Sequence, residues 1–225
     1  MFKGKRLSIL GDSISTYKGV SNDASANSTL FYNPFFYKEP FPLEKTYWKR
    51  LMDSLGLTLC VNNSWSGGNL SGEAHTESGV NRADNLHKDD GTLPEFIIVF
   101  MGINDLGRRV SPSVFSADYE KTLMKLSKRY PNTKVCCVNL PDRDALMKNQ
   151  TKIFNSAIED AVRSAGDNFF IADLFHSPLN NDDYYMNTVD GLHPDEDGMR
   201  MIAEVILSAI NKSCGKGWFI LSLEE

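Results

Sequence analysis

The sequence predicts an α/β sandwich with a parallel sheet, and two observations support this prediction. Five short apolar runs end in glycine or polar residues and alternate with stretches of helical periodicity, an order typical of strands connected by helices. The third run, residues 96–101, is apolar without alternation, as expected of a parallel strand covered on both faces. We therefore expect this run at the centre of the sheet.

The predicted strands and helices follow one another along the chain. The strands are predicted at residues 6–10, 57–62, 96–101, 134–140 and 169–173. Apolar residues recur at helical spacing in four groups: Trp48, Leu51, Met52 and Leu55; Phe115, Tyr119, Leu123, Leu126 and Tyr130; Ile153, Ala157, Ile158 and Ala161; Met199, Ile202, Ala203, Ile206 and Ile210. Ligands of such folds bind beyond the carboxyl ends of the strands, so we expect the functional site there.

The composition predicts one domain spanning residues 1–225. Of the 225 residues 41% are hydrophobic, without repeats or blocks of charge, so the chain can bury a sizeable core. A net charge of −5 argues against nucleic acid as a partner, because tracking phosphates needs clustered Lys and Arg. The cysteines Cys60, Cys136, Cys137 and Cys214 lack zinc-type spacing and are expected to be reduced.

The ends of the chain predict neither a signal peptide nor a membrane span. The basic residues 1–6 precede an apolar run too short for the core of a signal peptide, and no stretch is long enough to cross a bilayer. As it stands, the sequence predicts a cytoplasmic protein, with secretion left open if an export signal was removed. It does not indicate an oligomeric state.

One segment departs from the alternation of strands and helices. Residues 17–47 form a proline-broken insert that is too long for a simple connection, and such loops are usually functional or disordered. Its aromatic content argues against disorder, the residues concerned being Phe31, Tyr32, Phe35, Phe36, Tyr37 and Phe41. The insert is expected either to line a substrate pocket or to pack on its own domain.

Gly11-Asp12-Ser13 directly follows the first predicted strand. Ser13 should therefore stand at the carboxyl edge of the sheet, with the glycine permitting a sharp turn. A serine in that place is either an N-cap that opens a helix or a nucleophile activated by a nearby base. Its position and the partners downstream favour the nucleophile.

A candidate base is found in the pattern Asp-x-x-His, which occurs three times. Asp190 with His193 is favoured, because Pro194 and acidic residues after it predict a stiff loop opening the last helix. Asp173 with His176, at the end of a predicted strand, is the second candidate pair. Asp84 with His87 lies in a polar stretch typical of a solvated face. In the favoured pair Asp190 would orient His193, which would take the proton from Ser13.

Two further segments supply hydrogen-bond donors at the same edge. Asn104, after the third strand, can donate from its amide to a developing oxyanion, or form an ordinary Asx turn. The glycine-rich residues 62–68, after the second strand, offer backbone N–H groups, or form a flexible turn. Together with the serine and histidine, these donors point to acyl-transfer chemistry.

Taken together, the four segments resemble the SGNH (GDSL-type) hydrolase superfamily, from residue 7 to about residue 210. The G-x-S-x-G, Walker A, G-x-G-x-x-G and H-E-x-x-H patterns of other enzyme classes are missing from the sequence. The resemblance implies a three-layer α/β/α sandwich with a five-stranded parallel sheet, the flavodoxin-like SGNH fold. It also implies ester hydrolysis without a metal or cofactor.

By the same resemblance, Ser13, Asp190 and His193 are the catalytic residues. Ser13 and Asn104 would form the oxyanion hole together with Gly67, since Asn62 and Ser66-Gly67 keep the family's spacing. Ser64 stands where the family has a glycine, and the neighbouring Gly68 leaves the donor open by one position. The candidate substrate contacts are Asp12, Trp65 and Gly68.

The expected partner is a small ester, with a short acyl group on a carbohydrate or similar polar compound favoured because no long apolar lid is evident. Lipase, thioesterase or lysophospholipase activity is the alternative within the family. A non-catalytic relative that binds a glycan or an acyl group is the alternative outside enzymes.

Overall fold

Five parallel strands form a sheet at the centre of the molecule. The computed structural model describes residues 2–21, 32, 41–142, 146–178 and 186–213. The strands are β1 (Arg6–Gly11), β2 (Thr58–Ser64), β3 (Phe96–Phe100), β4 (Lys134–Val138) and β5 (Phe169–Ala172). They pair in parallel in the order β2-β1-β3-β4-β5, which confirms the predicted five-stranded parallel sheet.

The apolar strand β3 lies in the middle of the sheet, as predicted. All five of its residues are buried. Ile98 pairs with Ile9 of β1 on one side and with Cys136 of β4 on the other. A strand flanked on both edges and covered on both faces favours an uninterrupted apolar sequence.

Helices complete the layers around the sheet. They are α1 (Tyr47–Leu55), α2 (Gly79–Arg82), α3 (Ile103–Gly107), α4 (Pro112–Arg129), α5 (Lys148–Ala165) and α6 (Glu196–Ser213), with 3-10 turns at Ser13–Ser15 and Leu43–Lys45. Helix α1 packs against α6, whereas α4 packs against α5 and α2. Within the described ranges, every helix is too short or too polar to span a bilayer.

One side chain of α5 was placed on the wrong face. Ile153, predicted on the apolar face, is 46% exposed, whereas Phe154 is 2% exposed. Phe154 lies four residues before Ile158, on the same stripe of the helix, and Ile153 falls one position outside it. The Phe154 ring stacks on Phe115 of α4, with 4.4 Å between the centroids.

The last helix begins just after the favoured histidine motif. The carboxylate of Asp195 accepts a hydrogen bond from the N–H of Gly198 at 2.9 Å, which caps the first turn of α6. The apolar positions predicted for this helix are all buried. Helix α6 is therefore anchored in the core, and it fixes the loop that carries His193.

The aromatic insert is described in part. Tyr32 is fully buried, and Phe41 packs against the core. The aromatic residues at positions 31, 35, 36 and 37 lie outside the described residues, so what the sequence predicted for them stays a prediction.

The cysteines that the structure describes, Cys60, Cys136 and Cys137, are buried and form no disulfide. Burial raises the pKa of Cys137 to about 12, which keeps this thiol protonated at neutral pH. Cys214 lies outside the described residues.

The strand order creates a crevice at the carboxyl ends of β1 and β3. The chain places β2 on one side of β1 and then continues with β3 on the other side. Ligands of open α/β sheets bind at such a switch point. Because Ser13 follows β1 and Asn104 follows β3, two predicted site residues lie at this crevice.

Candidate active site

Ser13 opens the 3-10 turn that follows β1. Directly before this turn, Gly11 leaves no room for a side chain, since a Cβ there would lie 2.5 Å from the Cβ of Ser15 and 2.6 Å from the Oγ of Ser64. Glycine is therefore needed because the turn packs so closely against the end of β2. A turn does follow Gly11, but the residue itself keeps a strand conformation outside the left-handed region, so glycine is required there for space and not for its φ angle.

The hydroxyl of Ser13 lies beside the ring of His193. His193 Nε2 is 2.9 Å from Ser13 Oγ, although the two residues are 180 positions apart in the sequence. On the other side of the ring, Nδ1 is 2.8 Å from Oδ2 of Asp190. Serine, histidine and aspartate thus form a continuous chain of hydrogen bonds.

The environment of Asp190 favours an ionised carboxylate. Partial burial raises the pKa of Asp190, but hydrogen bonds from the backbone and ring of His193 and from the N–H of Leu192 outweigh this, so the pKa lies below its ordinary value. A carboxylate at Nδ1 favours the ring tautomer that is protonated there. The lone pair of Nε2 then faces the serine, which suits His193 as a base.

Tyr32 of the insert supports the histidine loop. Its hydroxyl donates to the carbonyl of Pro194 at 2.7 Å, and its ring meets the imidazole of His193 edge-on, with the centroids 6.2 Å apart. Phe41 packs edge-on against Tyr32 at 4.9 Å. The sequence indicated the aromatic cluster of the insert, but nothing in it distinguished Tyr32 from its neighbours.

Three candidate N–H donors follow the carboxyl ends of the neighbouring strands β1, β2 and β3. Asn104 uses one amide hydrogen to bind the carbonyl of Gly68 at 3.0 Å, which leaves the second hydrogen for a ligand. Among the described residues, the backbone N–H groups of Ser13 and Gly67 have no acceptor. The N–H of Gly68, in contrast, donates to the carbonyl of Trp65 at 3.0 Å. This difference favours Gly67 over Gly68 as a donor.

The glycine loop, residues 65–69, is held by side chains one helical turn apart. Asn104 binds the carbonyl of Gly68, and Arg108, at the end of α3, donates from Nη1 to the carbonyl of Gly67 at 2.6 Å. The same nitrogen also donates to Oδ1 of Asn69 at 2.6 Å. Arg108 was not among the residues predicted from the sequence, although its spacing of four residues from Asn104 was a usable signal.

Asp105 anchors the continuation of this loop. Its buried carboxylate accepts the N–H groups of Leu70 at 2.7 Å and of Ser71 at 2.9 Å. Burial raises the pKa of Asp105, and these two hydrogen bonds oppose the increase. Asp105 is a positioning residue that the sequence analysis did not single out, although it follows Asn104 directly.

Arg82 ties the ends of β1 and β2 together. It is 4% exposed, and it donates to the carbonyl of Gly11 at 3.0 Å, to that of Glu77 at 2.7 Å and to that of Asn63. A buried guanidinium is tolerated because its donors find acceptors. Nothing in the sequence marked this arginine as buried.

The three candidate substrate contacts differ in their surroundings. Asp12 is 1% exposed, and its carboxylate accepts the N–H of Ile14 at 3.0 Å, so it does not face open space. Trp65 and Gly68 line an open cavity beside the glycine loop. Burial raises the pKa of Asp12 to about 7, against an opposing effect of the Arg82 charge.

The two other Asp-x-x-His motifs have no serine partner in the described part of the chain. His176 Nδ1 is 2.8 Å from Asp173 Oδ2, but the His176 side chain is 71% exposed. Asp84 instead pairs with a lysine, and His87 Nδ1 contacts a tyrosine hydroxyl at 3.2 Å. Among the described residues, no three His, Cys, Asp or Glu side chains are grouped as metal ligands would be.

The match to a family model agrees with this arrangement. The model of the GDSL-like Lipase/Acylhydrolase family matches residues 9–201. The chain belongs to this family. The matched range runs from within β1 into α6, so it includes Ser13, Asn104 and His193.

Solved structures with the GDSL-type fold are similar along nearly the whole chain. A protein of Bacteroides ovatus described as a GDSL-like lipase is 22% identical, with a TM-score of 0.71. The match covers 93% of this chain and 99% of the Bacteroides chain. A lipase/acylhydrolase from Enterococcus faecalis is 18% identical, with a TM-score of 0.62, covering 92% and 96%.

A further structure combines a carbohydrate esterase family 2 enzyme with a carbohydrate-binding domain, from Corynascus thermopiles. It is 18% identical, with a TM-score of 0.65, covering 95% of this chain and 67% of its own. These likenesses show a shared fold. A search among curated protein sequences found no match.

Proposed function

We propose that this member of the GDSL-like family is a serine ester hydrolase with Ser13 as nucleophile, His193 as base and Asp190 as the group that orients the base. The observation that carries the proposal is the 2.9 Å contact between Ser13 Oγ and His193 Nε2. With Asp190 on the opposite nitrogen at 2.8 Å, the ring is oriented as proton transfer requires.

The first half of the reaction transfers the acyl group to the enzyme. Ser13 Oγ attacks the ester carbonyl while its proton moves to His193 Nε2, and the carbonyl oxygen becomes an oxyanion. The N–H groups of Ser13 and Gly67 and the amide of Asn104 stabilise this charge. When the intermediate collapses, His193 returns the proton to the departing alcohol, and an acyl-serine remains.

The second half regenerates the serine. Water attacks the acyl-serine, gives a proton to His193 Nε2 and forms a second tetrahedral intermediate, stabilised by the same donors. The carboxylic acid departs when Ser13 Oγ takes the proton back. Asp190 stays ionised throughout and stabilises the imidazolium in each half.

The substrate that we propose is a short acyl ester of a carbohydrate or similar polar alcohol. The open cavity beside the glycine loop supports this choice, because its walls include Trp65, Arg108 and several polar side chains. Aromatic faces combined with a few placed polar groups are typical of sites for polar small molecules.

The decisive experiment compares the wild-type protein with Ser13→Ala on activated esters of increasing chain length, from acetyl upward. We expect hydrolysis with preference for acetyl, and a decrease of at least about 10⁴-fold in kcat for Ser13→Ala. Preference for long chains would overturn the proposed substrate.

A serine-directed organophosphate tests the chemistry separately. We expect mass spectrometry to find one adduct, on Ser13, in the wild type and none in Ser13→Ala. A wild-type protein that hydrolyses no ester and takes no label would be a binding protein, and the proposed function would fail.

A further inference from the structure

A cavity of about 490 Å³ opens next to the glycine loop. Its walls come from the loop itself, from the segment that follows it and from the end of α3, and they include Trp65, Gly67, His75, Glu77, Ser78 and Arg108. Sites for small molecules in proteins occupy about 300–1,000 Å³, so the volume suits one. The catalytic side chains Ser13 and His193 are not among the lining residues, so the cavity lies beside the reacting atoms.

The backbone connects this cavity to the nucleophile. The N–H of Trp65 donates to the carbonyl of Gly11 at 3.2 Å, two residues before Ser13. Gly67, whose N–H is a proposed oxyanion donor, belongs to the cavity wall. A ligand in the cavity would therefore contact the loop that carries the proposed oxyanion donor.

The charged side chains of the cavity are of both signs. Arg108 uses Nη1 to hold the glycine loop, and its Nε and Nη2 have no acceptor among the described residues. Glu77 contributes an exposed carboxylate, which accepts hydrogen bonds from its own backbone N–H and from the hydroxyl of Thr76, the latter at 3.2 Å. Unused donors and an exposed carboxylate on the walls of one cavity match a neutral ligand whose hydroxyls both donate and accept. A strongly anionic ligand would meet repulsion from Glu77.

Ser78 provides an independent indication of a ligand. The residue is 2% exposed and lines the cavity, but its hydroxyl has no hydrogen-bond partner among the described residues. Buried hydroxyls normally form hydrogen bonds, because a hydroxyl that is removed from water and gains no partner in the protein costs free energy. No described residue forms a hydrogen bond with this hydroxyl, and a hydroxyl-rich ligand would satisfy it.

We infer that this cavity binds one neutral pyranose ring of the substrate. The face of Trp65 would pack on the ring, while Arg108, Glu77 and Ser78 would bind its hydroxyls. The inference rests on the proposed function for the reaction itself, but the binding of the sugar does not depend on turnover. It assigns the carbohydrate part of the substrate to particular residues.

Binding is tested with Ser13→Ala protein and ligand-observed NMR on the neutral methyl pyranosides of glucose, galactose, mannose and xylose, with glucuronate as an anionic comparison. We expect at least one neutral glycoside to bind more tightly than glucuronate. Removing the indole or the hydroxyl, in Trp65→Ala or Ser78→Ala, should weaken binding by about fivefold or more. Binding of glucuronate alone, or of no sugar, overturns the inference.

The control variants separate binding from folding. Because the Ser78 hydroxyl makes no hydrogen bond in the described protein, Ser78→Ala should leave Tm unchanged or raised while binding weakens. Arg109→Met removes a neighbouring positive charge that does not line this cavity, and it should leave sugar binding unchanged. Equal weakening by Arg109→Met, or unchanged binding in Ser78→Ala, would count against the assignment.

Kinetics distinguish this inference from the proposed function. In protein with an intact Ser13, we expect Ser78→Ala to lower the ratio of kcat/KM for an acetylated methyl pyranoside to that for 4-nitrophenyl acetate by about fivefold or more. An unchanged ratio with normal hydrolysis overturns the sugar site alone. If neither ester is hydrolysed, the proposed function fails and the NMR titration still decides the cavity.

Discussion

The turns Asp173-x-x-His176 and Asp190-x-x-His193 have nearly the same internal geometry and different surroundings. In both, the histidine Nδ1 lies 2.8 Å from the carboxylate, which also accepts the histidine N–H, at 3.1 Å in the first turn and 2.8 Å in the second. The side chain of His176 is 71% exposed, whereas that of His193 is 14% exposed and meets Ser13. The motif alone therefore builds a histidine–carboxylate pair, and tertiary placement decides whether a nucleophile completes it.

The asparagines near the two turns differ in the same way. Asn139, which follows β4, is fully buried, donates to Asp173 at 2.8 Å and accepts the N–H of Leu174 at 2.6 Å. Asn104, which follows β3, keeps one amide hydrogen without a protein acceptor among the described residues. The first asparagine is committed to structure, and the second is available to a ligand.

The largest difference between the turns should appear when each histidine is removed. His193→Ala should lower kcat/KM on 4-nitrophenyl acetate by at least about 10⁴-fold, because the serine loses its base. His176→Ala, the matched control, should change it by less than about twofold, since an exposed residue distant from the reaction has little effect. If His176→Ala abolished turnover and His193→Ala spared it, the assignment of the base would be reversed.

A second comparison concerns carboxylates whose pKa values are shifted in opposite directions. Burial raises the pKa of Asp12 from 3.8 to about 7, so the folded state holds a proton that the unfolded chain has released between these values. Stability should therefore fall as the pH rises through this window, by about 4 kcal/mol in total. Asp12→Asn removes this loss, so its Tm should exceed that of the wild type at pH 8 and match it near pH 4.

For Asp173→Asn we expect the opposite pH dependence of stability, with a Tm below that of the wild type at pH 8 and a smaller difference near pH 3. Partial burial raises the pKa of Asp173, but hydrogen bonds from Asn139 and His176 more than offset this and hold the pKa below its ordinary value. Its stabilising contribution is present above the unfolded-state pKa of 3.8 and is lost as the pH falls through the lower folded-state value. Thermal unfolding of both variants and the wild type is measured from pH 3 to pH 8. If the Tm difference between Asp12→Asn and the wild type is the same at every pH, the burial argument is refuted.

The smallest effects are expected at the two asparagines. Asn104→Ala should lower kcat by about 10²- to 10³-fold, because it removes one oxyanion donor, and it should lower Tm slightly, because the hydrogen bond to Gly68 is lost as well. Asn139→Ala should lower the free energy of unfolding by about 2–4 kcal/mol, since it leaves the buried N–H groups of Leu174 and Phe175 without acceptors. Its kcat, measured on folded protein, should stay near the wild-type value. A large loss of kcat in Asn139→Ala would mean that the turn after β5 is coupled to the site at Ser13.

The sequence was sufficient for what depends on local pattern and strand order. The five apolar runs predicted every strand end to within two residues, because a parallel sheet buries most of each strand on both faces. Ser13 and Asn104 follow predicted strands, and His193 precedes the last predicted helix. These positions predicted that all three residues lie at the carboxyl edge of the sheet. The distance between Ser13 and His193 could not be read from the sequence, since it depends on how α6 packs.

The sequence could not indicate the side chains that hold the loops. Charged residues such as Arg82 and Asp105 are usually exposed, so their burial is not expected from the sequence. The carbonyl groups around Arg82 and the N–H groups around Asp105 explain it. The prediction for Ile153 was wrong for a related reason. Ile153 and Phe154 are adjacent apolar residues of one helix, and only Phe154 lies on the face that packs against the core. Such choices are made by packing between elements.

The proposed hydrolytic activity would serve as a reporter of the folding pathway of this protein. The proposed nucleophile follows the first strand and the proposed base precedes the last helix, with 180 positions between them. An intermediate that has collapsed around the sheet but has not docked α6 would bury much of its apolar surface and cleave nothing. In refolding from denaturant, recovery of turnover should therefore lag behind the fluorescence change that follows collapse.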